Sequence, residues 1–346
     1  MVTQITINKA SPPLVPNTFA SQPSFTQKIL NFQINLAQNS ANAQPTSFAS
    51  AQGIGTPGSF NISGVRSQVR IRNATAPAGS YADVSIWGLD QGLMNELASL
   101  GVLYDSVSKN QILISAGASS DDDASAFNAN ETPLQGFPVI FGGTIWFAYG
   151  DYSRMPDVPF RITAQLGLFN AVQSVTPGSW NGATSIVSVM QSFANQLGVP
   201  LENNGVSGSI TNPYFPGTIL QQLYAAAEHA NITAMLVDGG TKLAIWPIPG
   251  SRTSQTNIPL ISPDTGMIGY PSFANNGWLA VKMLYNPDVI FGGNIQVESS
   301  IPQANKTWTV QQLDLALDSL MPDGEWMATA LCQPKGTSPG VAPSVS

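Results

Sequence analysis

The sequence predicts an α+β fold that is mostly β, in which a strand-rich unit is written twice around a small α/β module. Three observations predict it. The heptapeptide Val139-Ile140-Phe141-Gly142-Gly143-Thr144-Ile145 returns almost unchanged as Val289-Ile290-Phe291-Gly292-Gly293-Asn294-Ile295. Around each copy, apolar residues alternate at strand spacing. Between the copies the apolar period becomes helical.

Residues 1–60 read as an N-terminal arm rich in Pro, Ser, Gln and Asn. Within it Leu30, Phe32, Ile34 and Leu36 alternate as a first strand, followed by a long loop over 38–58. Residues 61–176 read as the first unit. Strands are expected over Val65–Arg72 and Tyr81–Trp87, then a helix with Asp90 as N-cap. Leu93, Met94, Leu97 and Leu100 share that helix's apolar face, and Gly101 stands where a C-terminal cap belongs. A strand over Gln111–Ser115 precedes a flexible acidic loop over 117–133. The first heptapeptide and a strand over Phe160–Val172 close the unit.

Residues 177–252 read as an inserted α/β domain. Ile186, Met190, Phe193 and Leu197 recur at helical spacing until Gly198 and Pro200 stop them. A second helix from Thr218 carries Ile219, Leu220, Leu223 and Ala226, and a hairpin turns at Asp238-Gly239-Gly240. Residues 253–334 read as the second unit, with strands over Leu279–Tyr285, the second heptapeptide, Trp308–Ser319 and Trp326–Cys332. Residues 335–346 have the composition of a disordered tail. An alternating strand precedes each heptapeptide, through Val84 and Ile86 in one case and Leu279, Val281 and Met283 in the other. The two copies are therefore expected to be one strand of a duplicated unit, with the paired glycines marking a bulge or close approach. The alternative is two unrelated buried strands that happen to match.

Composition narrows the function. Charged residues make up 10% of the chain against about 25% in ordinary soluble domains. A surface so poor in charge offers little resistance to association, so extensive contact with other proteins is expected. A net charge of −7 argues against a sequence-reading nucleic-acid binder, although an acidic wall would let a duplex slide past. No basic start followed by an apolar run marks a signal peptide, and the apolar run over 137–150 is too short to span a bilayer.

No residue constellation points to catalysis, a metal or a cofactor. His229 stands alone near a helix end, where a partial positive charge is favourable, and no nucleophile accompanies it. Cys332 lies in an apolar strand and reads as core. Asp121, Asp122 and Asp123 are consecutive, whereas a calcium loop places its acids at alternate positions. Nucleotide-binding glycine motifs are absent from the sequence. Arg66, Arg70 and Arg72 are three of the six arginines, and alternation puts Arg70 and Arg72 on the polar face of a strand. They are candidate contacts to an acidic or phosphate-bearing partner, the alternative being a solvated face.

The sequence resembles the baseplate hub proteins of contractile bacteriophage tails. The resemblance lies in Val69-Arg70-Ile71-Arg72-Asn73 and in Ala82–Leu89 leading into Gln91–Gly101. It continues through Phe141–Ile145, Thr265–Pro271, Leu284-Tyr285-Asn286-Pro287 and Phe291-Gly292-Gly293. It implies two tail-tube-like β domains with a smaller domain inserted between them. It also implies a homotrimer whose six tube-like domains form a ring, joining the tail tube or a tube-terminal protein above to a spike or tail-tip protein below. Baseplate wedge proteins and DNA passing without specific binding complete the implied partners. The implied location is the virion tail, assembled in the host bacterial cytoplasm. A freestanding glycan- or receptor-binding β protein of a virion is the alternative, and a cell-wall hydrolase a more remote one.

Overall fold

A computed structural model describes residues 27–36, 59–74, 79–98, 110–119, 137–172, 175–255, 257–274 and 277–336. The 38–58 loop, the acidic loop beyond residue 119, the cap at Gly101 and the tail beyond residue 336 lie outside the described residues.

The first unit contributes β1 (Gln27–Asn35), β2 (Ser59–Ile62), β3 (Ser67–Ala74), β4 (Tyr81–Trp87), β5 (Gln111–Ser119), β6 (Val139–Gly150) and β7 (Pro159–Gln165). Helix α1 (Gln91–Leu97) leaves β4 with Asp90 capping it, the carboxylate accepting from the Gly92 amide. Strand β7 stops at Gln165, and Leu168–Val172 is a short helix, α2, rather than the end of the expected strand. The cause is Gly167, whose φ of 72° turns the chain out of the sheet.

The inserted part contains β8 (Gly178–Ser179), β9 (Ala183–Ser185), α3 (Ile186–Leu197), β10 (Leu201–Asn203), β11 (Ser209–Thr211) and β12 (Tyr214–Phe215). Helix α4 (Ile219–His229) and the hairpin β13 (Ile232–Val237) and β14 (Lys242–Pro247) follow. Thr218 and Gln221 form a capping box at the start of α4. Val189, Met190, Phe193, Leu223 and Ala226 from the two helices pack with Leu243 and Ile245 of β14 into a core separate from that of the sheet. The second unit contributes β15 (Leu260–Ile261), β16 (Ser272–Phe273), β17 (Leu279–Leu284), β18 (Asn294–Val297), β19 (Thr307–Ser319) and β20 (Trp326–Pro334).

The two units have the same topology. Five strands of the first lie in the order β3-β4-β7-β6-β5, and five of the second in the order β16-β17-β20-β19-β18. The registers agree residue by residue. Thr144 pairs with Gln111 on one side and Gln165 on the other. Thr309 pairs with Asn294 and Gln333 in the same way. Ile145 faces Ala164, Val310 faces Cys332, and the register then slips at Trp146 and at Gln311. A bulge at the same place in both copies marks a duplicated sheet.

The repeated heptapeptide is not the mark of that duplication. Val139–Ile145 begins β6, the third strand of its unit counted from β4. Val289–Gly293 is irregular chain with a turn at Phe291-Gly292, Gly292 at φ 76°, and only Asn294 and Ile295 enter a strand. That strand, β18, is the counterpart of β5, so the expectation that the two copies are the same strand is corrected. An apolar triplet followed by two glycines suits a kinked strand and a tight turn equally well. Which one forms is decided by partners distant in sequence.

What the copies share is a neighbour. A side chain at Gly142 would stand 2.1 Å from the Gly239 carbonyl oxygen at the tip of the inserted hairpin, and one at Gly292 would stand 3.0 Å from the Trp246 ring. Both glycines let the inserted domain approach the sheet's backbone. Gly142→Ala is therefore expected to lower stability by about 1–3 kcal/mol, because backbone and not a flexible side chain must move. A thermal melt checks this, and a wild-type melting temperature would refute the close approach.

Candidate functional site

A strand edge left without a partner has unmet hydrogen-bonding groups. Strand β19 meets this demand with two partners on one edge. Its first residues, Thr307–Thr309, pair with β18, and Gln312–Ser319 pair with β3 of the first unit. This pairing joins the units into one sheet, 13 strands among the described residues. Beneath it Val69 and Ile71 pack into a core continuous with Leu313, Leu315 and Leu317.

The solvent face of the joint is where the candidate arginines fall. Arg70 donates to both Asp318 oxygens, at 2.7 and 3.4 Å, and to Glu325 at 3.0 Å. Arg72 makes a forked pair with Asp314 at 3.0 and 3.4 Å. Hydrogen bonding to Asp314 raises the Arg72 pKa against the opposing effect of burial. Arg66 pairs with Asp157 inside the first unit, and its guanidinium lies over the Trp87 ring. All three therefore meet acidic partners within this chain, two of them across the joint.

A second lock was invisible in the sequence. Arg252 is 3% exposed and sits where the inserted domain returns to the sheet. Its guanidinium donates to Glu202 at 2.8 and 2.9 Å and to Asp238 at 3.1 and 3.2 Å. Its own amide donates to the Gly292 carbonyl at 2.8 Å. Burial would raise the Glu202 carboxyl, but hydrogen bonds from Arg252, Asn204 and Ser254 outweigh it and hold the pKa down to about 2. Met235, Val237, Ala244, Trp246 and Phe291 form a small apolar cluster beside this lock. Glu202, Asp238 and Arg252 come together only in the fold.

Among the described residues, the remaining candidates hold no reactive constellation. Cys332 is fully buried, and burial pushes its thiol pKa up. His229 ends α4 with its ring against Phe215. No group of three or more His, Cys, Asp or Glu is placed to hold a metal ion among those residues.

A duplicated antiparallel sheet, joined edge to edge and carrying an inserted α/β domain, defines a phage-tail-type fold. Solved structures share it. The tail protein from Neisseria meningitidis MC58 superposes with a TM-score of 0.57 at 8% identity, covering 89% of this chain and 98% of that one. The 43 kDa tail protein of prophage MuSo2 from Shewanella oneidensis superposes with a TM-score of 0.54 at 7% identity, covering 90% and 97%. A type VI secretion component from E. coli, described as similar to T4 tail proteins gp27 and gp5, gives 0.50 at 9% identity, covering 81% and 77%. No curated protein matches the sequence. The family described as baseplate hub gp41 matches residues 59–330, and the chain belongs to it. It is a structural component of the phage tail baseplate.

The two arginines at the joint differ in how much their removal should cost. Asp318 is buried beside Arg70, whereas Arg72 and Asp314 are both partly exposed. Arg70→Ala is expected to cost about 1–3 kcal/mol and Arg72→Ala less than about 1 kcal/mol; urea denaturation of both variants ranks them. Glu202 supplies a pH signature. Its folded pKa lies below its ordinary value of 4.5, so its contribution to stability is complete above that pH. It is lost as pH falls towards about 2. Glu202→Gln is expected to flatten this acid dependence, and an unchanged slope between those values would refute the lock.

Proposed function

We propose that the chain is the trimeric hub of a phage tail baseplate, its two like units repeated in three copies to make a ring of near-sixfold symmetry. The observation that carries this reading is the residue-level equivalence of β3–β7 with β16–β20. A sixfold tube can rest on a threefold spike only through a part that presents both symmetries, and a duplicated unit in a closed trimer does so. The tail tube would lie above, the spike or tail-tip protein below, and wedge proteins outside. In this reading the tube-like units run over 61–176 and 253–334, and the inserted domain over 177–252 stands outside the ring. The role is structural and not catalytic.

DNA passes through such a ring without being held. The sheet offers no row of free arginines, because Arg66, Arg70, Arg72 and Arg161 each face a carboxylate, the last one Asp151. Each phosphate contact made by a free cation would add affinity and a step in salt dependence.

Sedimentation of the full chain, followed by electron-microscope class averages of the particles, tests the ring. Three chains with six like lobes are expected. A monomer at all concentrations, or a dimer, would overturn it. Duplex DNA is expected to bind weakly, with a shallow dependence on salt. A slope equivalent to several phosphates would refute free passage.

A further inference from the structure

The inserted domain and the first unit meet closely at Gly142 and Gly239 and then part, leaving a cleft of about 410 Å³ between them. Strands β5 and β6 form one wall, with Gln111 and Thr144. Helix α2 forms a second with Phe169 and Asn170, and the C-terminal end of α3 a third with Gln196. The tip of the β13–β14 hairpin closes one end. The size falls in the range of about 300–1,000 Å³ that small-ligand sites occupy, and a domain boundary is a usual place for one. The Arg252 contacts and the Gly142–Gly239 approach hold the walls apart at a fixed distance, so the cleft is preformed.

Its lining has a distinct chemistry. No charged side chain borders it among the described residues. Three amide side chains, Gln111, Asn170 and Gln196, reach it from three separate elements, and none has a hydrogen-bond partner among the described residues. Other amides of the inserted domain are engaged: Gln222 bonds Thr176, Gly178 and Gly217, and Asn204 bonds Glu202, Thr253 and Ser254. Thr144 accepts from the Phe169 amide at 3.4 Å, which leaves its hydroxyl proton to donate. Five glycines complete the lining, so peptide groups are reached with no side chain in the way.

Three kinds of ligand can be set against this lining. An ion would lose its hydration and meet no counter-charge. A wholly apolar ligand would strip water from the amides and return no hydrogen bond. A neutral ligand with several hydroxyls beside C–H faces satisfies both demands. Each amide offers a donor and an acceptor to neighbouring hydroxyls, and Phe169 offers an apolar surface to the C–H face. That description is a saccharide. We infer that this cleft binds the end of a neutral oligosaccharide, with Gln111, Asn170 and Gln196 as its hydrogen-bonding side chains and Phe169 as its platform. The inference holds for the single chain and does not depend on the ring.

Full-length protein with maltotriose, lactose, mannobiose and N,N′-diacetylchitobiose as probes tests it. Saturation-transfer NMR at millimolar ligand is expected to show binding of at least one of these and none of glucuronic acid, a charged ring of similar size. Gln196→Ala and Asn170→Ala are each expected to weaken that binding about tenfold, through the loss of a hydrogen bond to the ligand. Neither side chain has a partner within the protein, so the melting temperature is expected to stay unchanged in both. Gln191→Ala, on the same helix as Gln196 but outside the cleft, is expected to bind as the wild type does. No signal from any neutral probe, an equal signal from glucuronic acid, or binding that survives both cleft substitutions would overturn the site. None of these outcomes bears on the ring, which sedimentation reads separately.

Discussion

Everything in this architecture depends on one strand having more edge than its own unit can cover. Strand β19 spans Thr307–Ser319, while β18, its partner inside the unit, spans only Asn294–Val297. The uncovered backbone amides and carbonyls would each be left to water or to a stranger. The bulge at Gln311 separates the residues served by β18 from those served by β3. One edge therefore serves two functions: it completes its own unit and recruits the next. The side chains follow the backbone, with Leu313, Leu315 and Leu317 closing a shared core below and three carboxylates meeting two arginines above.

The inserted domain is held by a different kind of force. Its own core is complete, and the small cluster of Met235, Val237, Ala244, Trp246 and Phe291 packs it on the second unit. Arg252 adds directional contacts to that apolar one. A guanidinium this deeply buried is tolerable only when its donors are met, and Glu202 and Asp238 meet four of its contacts from two separate elements of the inserted domain. The chain amide of the same residue is tied to Gly292 in the second unit. Orientation of the domain relative to the sheet is thus set by a residue whose removal would leave two carboxylates partly buried and unpaired. The glycines at 142 and 292 complete the fit by letting the domain come close to the sheet's backbone.

Local periodicity made much of this legible. Strands β3, β4, β5 and β20, the helices α3 and α4 and the hairpin at Asp238 all announce themselves through a repeat of two or of 3.6, or through turn chemistry. The duplication was legible as well, but for a reason that did not survive. Val139–Ile145 and Val289–Ile295 match in letters while serving different strands, whereas the true equivalents, Thr144 with Thr309 and Gln165 with Gln333, sit in segments that otherwise look unlike. Equivalence in a sheet is a matter of hydrogen-bond register, and many side chains satisfy one register. The arginines show the same limit. Alternation placed Arg70 on the polar face, but its partner Asp318 lies 248 positions away and no local signal reports it.

The scarcity of charge then acquires a physical reading. All six arginines are engaged with carboxylates: Arg66, Arg70, Arg72, Arg154 and Arg161 on or beside the sheet, and Arg252 beneath the inserted domain. Guanidinium charge in this protein fastens its own parts. The large exposed apolar side chains show the opposite disposition: Trp146, Phe147 and Tyr149 of β6 and Tyr270 and Phe273 at β16 have no ion pair and stand in solvent. Exposed aromatic groups of this size invite association. In a chain whose arginines are fastened internally, they are surface on which a component of the phage tail baseplate can meet other tail proteins.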